Sequence, residues 1–377
     1  MYSIFSFPSI RKSLFTTILS LFTAIVYGQS AQVTISGKVT NEKTGAPIPF
    51  ANVYINNSSI GTTTNENGAY TLANLPLGNL ELAVSSLGFN PIKEIVRFEQ
   101  PGLKTVHFKM REGIELDGVI IYSRKSKLLQ QRIKIITREL LGQSKFSKQC
   151  KLRNPEVLRI TAPDNGHLLA QTTSPLIIEN YALGYIIHQD LDDFDYHEGK
   201  VYYGGNTRFE LMKPENEAQQ KLWRANQKIA YKGSLKQLLS SMVSDSLQEN
   251  GFRVFQEIPE SRRVFNTVRV YNGLNPLKNH LNNRLEEVRG ITLIQPGELE
   301  TERLVVTQTQ LEVFNMNKRG RSPYTDMAYS YSTIKMPNGY IVITPQGWVV
   351  TPMGFEIRGD LGNDRFANLL PSDWKRD

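Results

Sequence analysis

The chain has 377 residues, 40% of them hydrophobic, enough for two or three domains with cores of their own. Charged residues make up 21%, Gly and Pro occur at ordinary levels, and the net charge of +8 is mild for this length. Those numbers exclude a disordered or collagen-like chain and make no case for a nucleic-acid binder.

At the N-terminus, Arg11 and Lys12 precede "SLFTTILSLFTAIVYG", an uncharged apolar run that ends before "QSAQ". A basic start, an apolar middle and a cut after Gly28 predict a secretory signal peptide over residues 1–28. The run falls short of the roughly 20 residues a spanning helix needs, which disfavours a retained anchor. Only one cysteine is present, Cys150, so there is no internal disulfide and no lipid-attachment thiol near the cut. It reads as a small buried hydrophobe.

From Ala31 onward the pattern changes to short strands. "QVTISGKVTN" alternates Val33, Ile35 and Val39 with polar residues and breaks at Gly37. "TGAPIPFANVYIN" brings Phe50, Val53 and Ile55; "AYTLANL" brings Tyr70 and Leu72; "PLGNLELAVSSLGF" brings Leu80, Leu82 and Val84. "EIVRF" and "KTVHFKM" complete the set. Strands at this spacing, with turn residues between them and no helical period, predict an antiparallel β-sandwich.

Within it, Asn65-Glu66-Asn67-Gly68 could open a calcium loop or close a hairpin. A calcium loop needs several carboxylates and a bidentate Glu at its twelfth position, where this chain has Pro76. Asn-Gly favours the tight turn.

The run "SGKVTNEKTGAPIPFANVYI…IGTTTNENGAYTLANLPLGNLELAVSSLGF" resembles the carboxypeptidase regulatory-like domain, a transthyretin-like sandwich. That domain accompanies metallocarboxypeptidases and precedes many TonB-dependent outer-membrane receptors. The resemblance spans roughly 80 residues and implies a transthyretin-like or Ig-like sandwich over residues 31–111. It also implies a bacterial envelope address, in the periplasm or at the outer membrane. This chain departs from the pattern in having Asn65 where Asp is usual and Phe89 near the place of a Tyr.

Residues 112–145 read as a basic linker and an amphipathic helix. In "KSKLLQQRIKIITRELLG", Leu129, Ile133, Ile136 and Leu140 form one stripe and Gly142 ends it. Docking on the second domain with a solvated basic back is the plain reading; contact with an anionic membrane surface is the sharper one.

Residues 146–377 read as an α+β domain. "LIIENYALGYIIHQDLDDF" and "GKVYYGGNTRFELM" alternate as paired strands around an acidic connection. "PENEAQQKLWRANQKIAYKGSLKQLLSSMVSDSLQENGF" is helical, with Ser234 as N-cap and Gln237 three residues on. Leu235, Leu238, Leu239, Met242 and Leu247 make its buried stripe and Gly251 its stop. "FRVFQE", "RLVVTQTQLEVFN", "AYSYSTIKM" and "GYIVITPQGWVVT" return to strands. This half is similar to the body of exported bacterial proteins that carry the same N-terminal sandwich, a group that implies no activity.

No catalytic template fits. Zinc carboxypeptidases need H-x-x-E and a distant His, and none of His107, His167, His188, His197 and His280 has Glu at that spacing. There is no G-x-S-x-G elbow, P-loop or dinucleotide fingerprint. The densest polar cluster is His188, Asp190, Asp192, Asp193, Asp195, His197 and Glu198, a candidate for a divalent ion. Its plain reading is a solvated acidic strand end anchored by Leu191 and Phe194. With 16 Tyr and 17 Phe, aromatic sugar-binding surfaces are conceivable, though β-rich cores use the same residues. The sequence therefore predicts a non-enzymatic exported protein that needs no cofactor and docks another envelope protein, an outer-membrane receptor being the kind the resemblance implies. A hydrolase with an unrecognised site in the second domain and a carbohydrate binder are the rival expectations.

Overall fold

The computed structural model describes residues 33–113, 126–163, 166–258, 285–350 and 356–376. The expected signal peptide and His280 lie outside the described residues. Among the described residues, no helix is long and apolar enough to cross a membrane.

The N-terminal module is a two-sheet sandwich. One sheet orders β4 (Ala69–Leu75), β1 (Val33–Asn41) and β7 (Gly102–Thr105), with β8 (Phe108–Met110) also on β1. The other orders β3 (Gly61–Thr63), β2 (Asn52–Ile55), β5 (Gly78–Ser85) and β6 (Ile92–Phe98). The alternating residues read from the sequence, Val33, Ile35, Val39, Leu72, Leu80, Leu82 and Val84, fill one core between the sheets.

Two details differ from the expectation. β7 and β8 pair with β1 in parallel, so the sandwich is mixed rather than wholly antiparallel, and "KTVHFKM" is divided between them. Nor does Gly37 break β1. The strand runs through it, because the chain between β7 and β8 crosses so closely that a Cβ there would lie 1.6 Å from the Val106 carbonyl oxygen.

The Asn65–Gly68 segment is a turn. The Asn65 side-chain oxygen accepts from the Asn67 and Ala69 amides at 3.0 and 2.9 Å, and Gly68 takes the left-handed φ of 69°. The Asn65 oxygen is thereby occupied by the backbone it shapes.

The body has two large cores and a smaller aromatic cluster of Phe255, Leu285, Phe314 and Met327. The first surrounds a six-stranded sheet of β9 (Cys150–Leu152), β10 (Leu158–Thr161), β11 (Leu168–Thr172), β12 (Leu176–Asn180), β13 (Tyr185–His197) and β14 (Lys200–Leu211). β13 is long enough to pair with β12 along its first half and β11 along its second, with β14 on its other edge. Helix α1 (Lys127–Leu141) docks here as its stripe requires: Ile136 and Leu140 are buried, Leu129 and Ile133 pack at the edge, and Gly142 caps it. The helix grouped with the linker thus packs as part of the body. The buried Glu139 carboxylate meets Arg365 at 2.7 Å, and Phe366 and Ala367 return to the same core.

Helix α2 (Glu217–Tyr231) leads to α3 (Leu235–Val243), where the Ser234 hydroxyl accepts the Gln237 amide at 3.2 Å as the capping spacing predicts. The structure ends this helix at Val243, well before Gly251. α3 buries Leu238, Leu239 and Met242 in the second core. That core is shared by two sheets. One orders β16 (Leu285–Val288), β15 (Phe252–Glu257), β19 (Leu311–Arg319), β20 (Tyr329–Lys335) and β22 (Glu356–Gly359). The other orders β17 (Ile294–Pro296), β18 (Arg303–Val306) and β21 (Tyr340–Ile343).

Candidate interaction site

The sandwich does not hang free of the body. β2 reads Val53-Tyr54-Ile55, three apolar residues in a row, so both faces of the strand need cover. Val53 and Ile55 point into the sandwich core, and Tyr54, 2% exposed, points outward onto β13. Its hydroxyl donates to the Asp190 carboxylate at 3.1 Å. Burial pushes the Asp190 carboxyl up to about 6, against the hydrogen bond from Tyr54, and burial together with Asp190 raises the Tyr54 phenol.

Beside this pair, the turn from Asn56 to Ser59 lies along the open edge of β14. The Asn57 amide donates to the Thr207 carbonyl at 2.7 Å, the Phe209 amide to the Ser58 carbonyl at 2.9 Å, and the Thr207 amide to the Asn56 side chain at 2.7 Å. One end of the sandwich thus covers a sheet edge that would otherwise be left with unpaired backbone groups. Asn79 to Glu302 and Arg97 to Glu298 extend the junction to the second half of the body.

The opposite end of the sandwich faces away from this junction. Loops 42–51 and 86–91 flank the Asn52–Ser85 register pair there and carry Phe50, 70% exposed, and Leu87, 89% exposed. Phe50 holds a left-handed φ of 55°, a conformation that costs an aromatic residue about 1 kcal/mol or more. Between residues 44 and 50, and between 85 and 91, neither loop contains a charged side chain.

The acidic cluster read as a candidate ion site is placed within β13 itself rather than in a connection. His188 and His197 are nine steps apart on an extended strand, about 30 Å. His188 pairs with Glu210 at 2.9 Å, Asp190 faces the sandwich, and Asp192 and Asp193 project to solvent at a bulge. Asp195 binds His167 at 2.7 Å, and the His167 and His197 rings stack 4.1 Å apart. Among the described residues, no three His, Cys, Asp or Glu side chains converge as an ion would require.

A cleft of about 530 Å³ opens where the two halves of the body meet, lined by Lys145, Lys232, Asn315, Lys318, Asp364 and Asn368 among others. Asp364, pushed up to about 6 by burial, accepts from the Asn368 amide at 3.1 Å. Lys318 pairs with Asp360 at 3.2 Å. No described histidine lines this cleft, and the Ser330 hydroxyl there donates to the Asp360 carboxylate. Cys150 is half-buried, and burial pushes its thiol up to about 12, away from the thiolate form. Tyr54, Asp364 and the C-terminal Asp373 escaped sequence reading; only the unbroken apolar run around Tyr54 gave a local signal.

Residues 35–121 match the CarboxypepD_reg-like domain. No curated protein matches the chain. Among solved structures, 3-chlorocatechol 1,2-dioxygenase from Rhodococcus opacus shares 12% identity over 22% of this chain and 61% of its own, with a TM-score of 0.18. A type II cohesin–X-dockerin complex from Acetivibrio cellulolyticus shares 17% identity over 30% of this chain and 76% of that one, at 0.19. A DUF3823 family protein from Bacteroides uniformis shares 8% identity over 83% and 99%, at 0.17. Likenesses this low carry no argument about activity. With the two-sheet core described above, the match over residues 35–121 shows that the N-terminal β-sandwich of this chain is a carboxypeptidase regulatory-like domain, followed by a mixed α+β body.

Proposed function

We propose that this chain is an exported, non-enzymatic protein of the bacterial envelope whose sandwich is a mounted interaction module for another envelope protein. The observation that carries the reading is orientation. One sheet face and one end of the sandwich are spent on the body, while the far end presents Phe50 and Leu87 to solvent within the charge-free stretches 44–50 and 85–91. Exposed aromatic and aliphatic side chains on a rigid support are the anchors that protein interfaces use. Charge-free stretches suit a protein socket better than an anionic bilayer, which basic residues would seek. An outer-membrane receptor remains the partner class that the domain's resemblance implies.

The test is a photoactivatable residue at position 50 or 87 of the full chain expressed in its own envelope. One discrete protein adduct at both positions, lost on Leu87→Asp when the probe is at 50, supports the reading. Adducts no more specific than those from a probe at exposed Glu217 on α2 would remove it.

The cleft supports a second reading, a ligand-binding or hydrolytic body in which Asp364 is the acid. Screening the purified chain on a glycan array and on ester and peptide substrates decides it. Binding or turnover abolished by Asp364→Asn sustains this reading, and none in the parent retires it.

A further inference from the structure

Residues Pro371 to Trp374 touch the sandwich, α2 and α3 at once. The Ser372 amide donates to the Asn57 carbonyl at 2.8 Å. The Asp373 carboxylate accepts from the Ser59 amide at 2.8 Å and from its hydroxyl at 2.6 Å. On the body side, the Trp374 indole donates to the Gln227 side chain at 3.0 Å, and its ring lies 5.1 Å from that of Tyr231. Lys236, from the first turn of α3, donates to the carbonyls of Pro371, Ser372 and Trp374 at 3.2, 3.2 and 3.3 Å. Its ammonium also sits 5.7 Å from the Trp374 ring.

The rest of the junction is differently made. The sandwich core runs from Val33 to Met110 and the body cores from Ile136 onward, and no residue belongs to both. Each module therefore closes its own apolar interior. What joins them elsewhere is polar: Tyr54 to Asp190, Asn56 to Thr207, the short backbone pairing along β14, and Asn79 to Glu302 and Arg97 to Glu298 on the second half of the body. Such contacts contribute little individually, and junctions of this kind between domains commonly permit relative motion.

We propose that Pro371–Trp374 is a clasp: it fastens the sandwich to the body, and opening it frees the sandwich to move while both modules stay folded. The clasp reaches the same β2–β3 turn that lies on β14, so its two contacts to Asn57 and Ser59 hold that turn from the other side. Anchorage comes from the body through Lys236 and Gln227, two side chains on different helices. A partner pulling on the far end of the sandwich would load this contact, which ties the clasp to the interaction role proposed above without depending on it.

Amide hydrogen exchange on the full chain tests the clasp. The reporters are the amides of Asn57, Thr207 and Phe209, which donate across the junction, against Val39 and Ile187 within the two modules. Asp373→Ala and Ser59→Ala should each speed the junction amides about tenfold and leave the two internal amides unchanged, since local opening sets exchange where global unfolding does not. Trp374→Ala should do the same to a greater extent. The proposal is overturned if the junction amides keep parental rates in Asp373→Ala and Ser59→Ala. It is equally overturned if junction and internal amides accelerate together, because the two modules would then open as one unit. The adduct experiment at residues 50 and 87 is independent of this one, so either proposal can fail alone.

Discussion

The sandwich and the body solve burial in opposite ways. The polar side chains that the sandwich buries are neutral: the Thr64 hydroxyl donates to the Ile48 carbonyl at 2.7 Å and the Tyr70 hydroxyl to the Val106 carbonyl at 2.9 Å. The body and its junction instead bury ionisable groups: Glu139 against Arg365, Asp190 beneath Tyr54, Asp364 beside Asn368, and Lys236 among three carbonyls. Burial pulls the Lys236 ammonium down to about 8, against the opposing charge of Asp373. Among the described residues, the sandwich buries no carboxylate or ammonium group. A body that retains buried charge gives up some stability at places where its parts meet.

Three substitutions would break or sharpen that contrast. The largest effect is expected in the sandwich, at Gly37. Alanine there would drive a methyl group into the Val106 carbonyl, and Gly37→Ala should destabilise by about 3 kcal/mol or more, seen as a large fall in melting temperature. A melt unchanged within a degree would mean that β1 and the β7–β8 crossing are not so closely apposed.

Next comes Asp190. Its carboxyl is raised from its ordinary value to about 6, so the folded state holds the proton more tightly than the unfolded chain does. No cost arises below about pH 4; it grows between about pH 4 and 6 and stays constant above, at about 3 kcal/mol. Asp190→Asn removes the charge and keeps an acceptor for Tyr54. It should therefore melt higher than the parent at pH 8 and with the parent at pH 4. A variant less stable at pH 8 would show that Tyr54 and Arg208 favour the carboxylate more than burial opposes it.

The smallest is Ser234→Ala at the N-cap of α3, which should cost about 1 kcal/mol, measurable by chemical denaturation. Ser234→Asp should restore most of that loss. A silent Ser234→Ala would transfer the capping role to Gln237, whose side chain already accepts the Gly233 amide at 2.6 Å.

Much of the fold was legible because it rests on contacts between near neighbours. Alternation at Val33, Ile35 and Val39 marked a half-buried strand, the Leu129 to Leu140 stripe marked α1, and Ser234 with Gln237 marked the start of α3. Boundaries were less legible. "RLVVTQTQLEVFN" divides into β18 and β19, which belong to different sheets, and local pattern holds no record of which sheet a strand joins. Gly37 was misread as a break because a glycine demanded by close backbone approach looks the same as one demanded by a turn. The candidate ion cluster was dispersed by strand geometry, since seven polar residues within eleven positions are close in sequence and far apart when extended.

The sequence alone determined that the strands within residues 31–111 close a two-sheet core, that Asn65–Gly68 turns, and that α3 begins after Ser234, because each depends on side chains a few residues apart. Only the tertiary structure decided that Tyr54 meets Asp190, 136 positions away, and that Ser59 meets Asp373, 314 away. Such pairs are chosen by how finished modules pack against one another. Periodicity records which face of a strand is covered and carries nothing about what covers it.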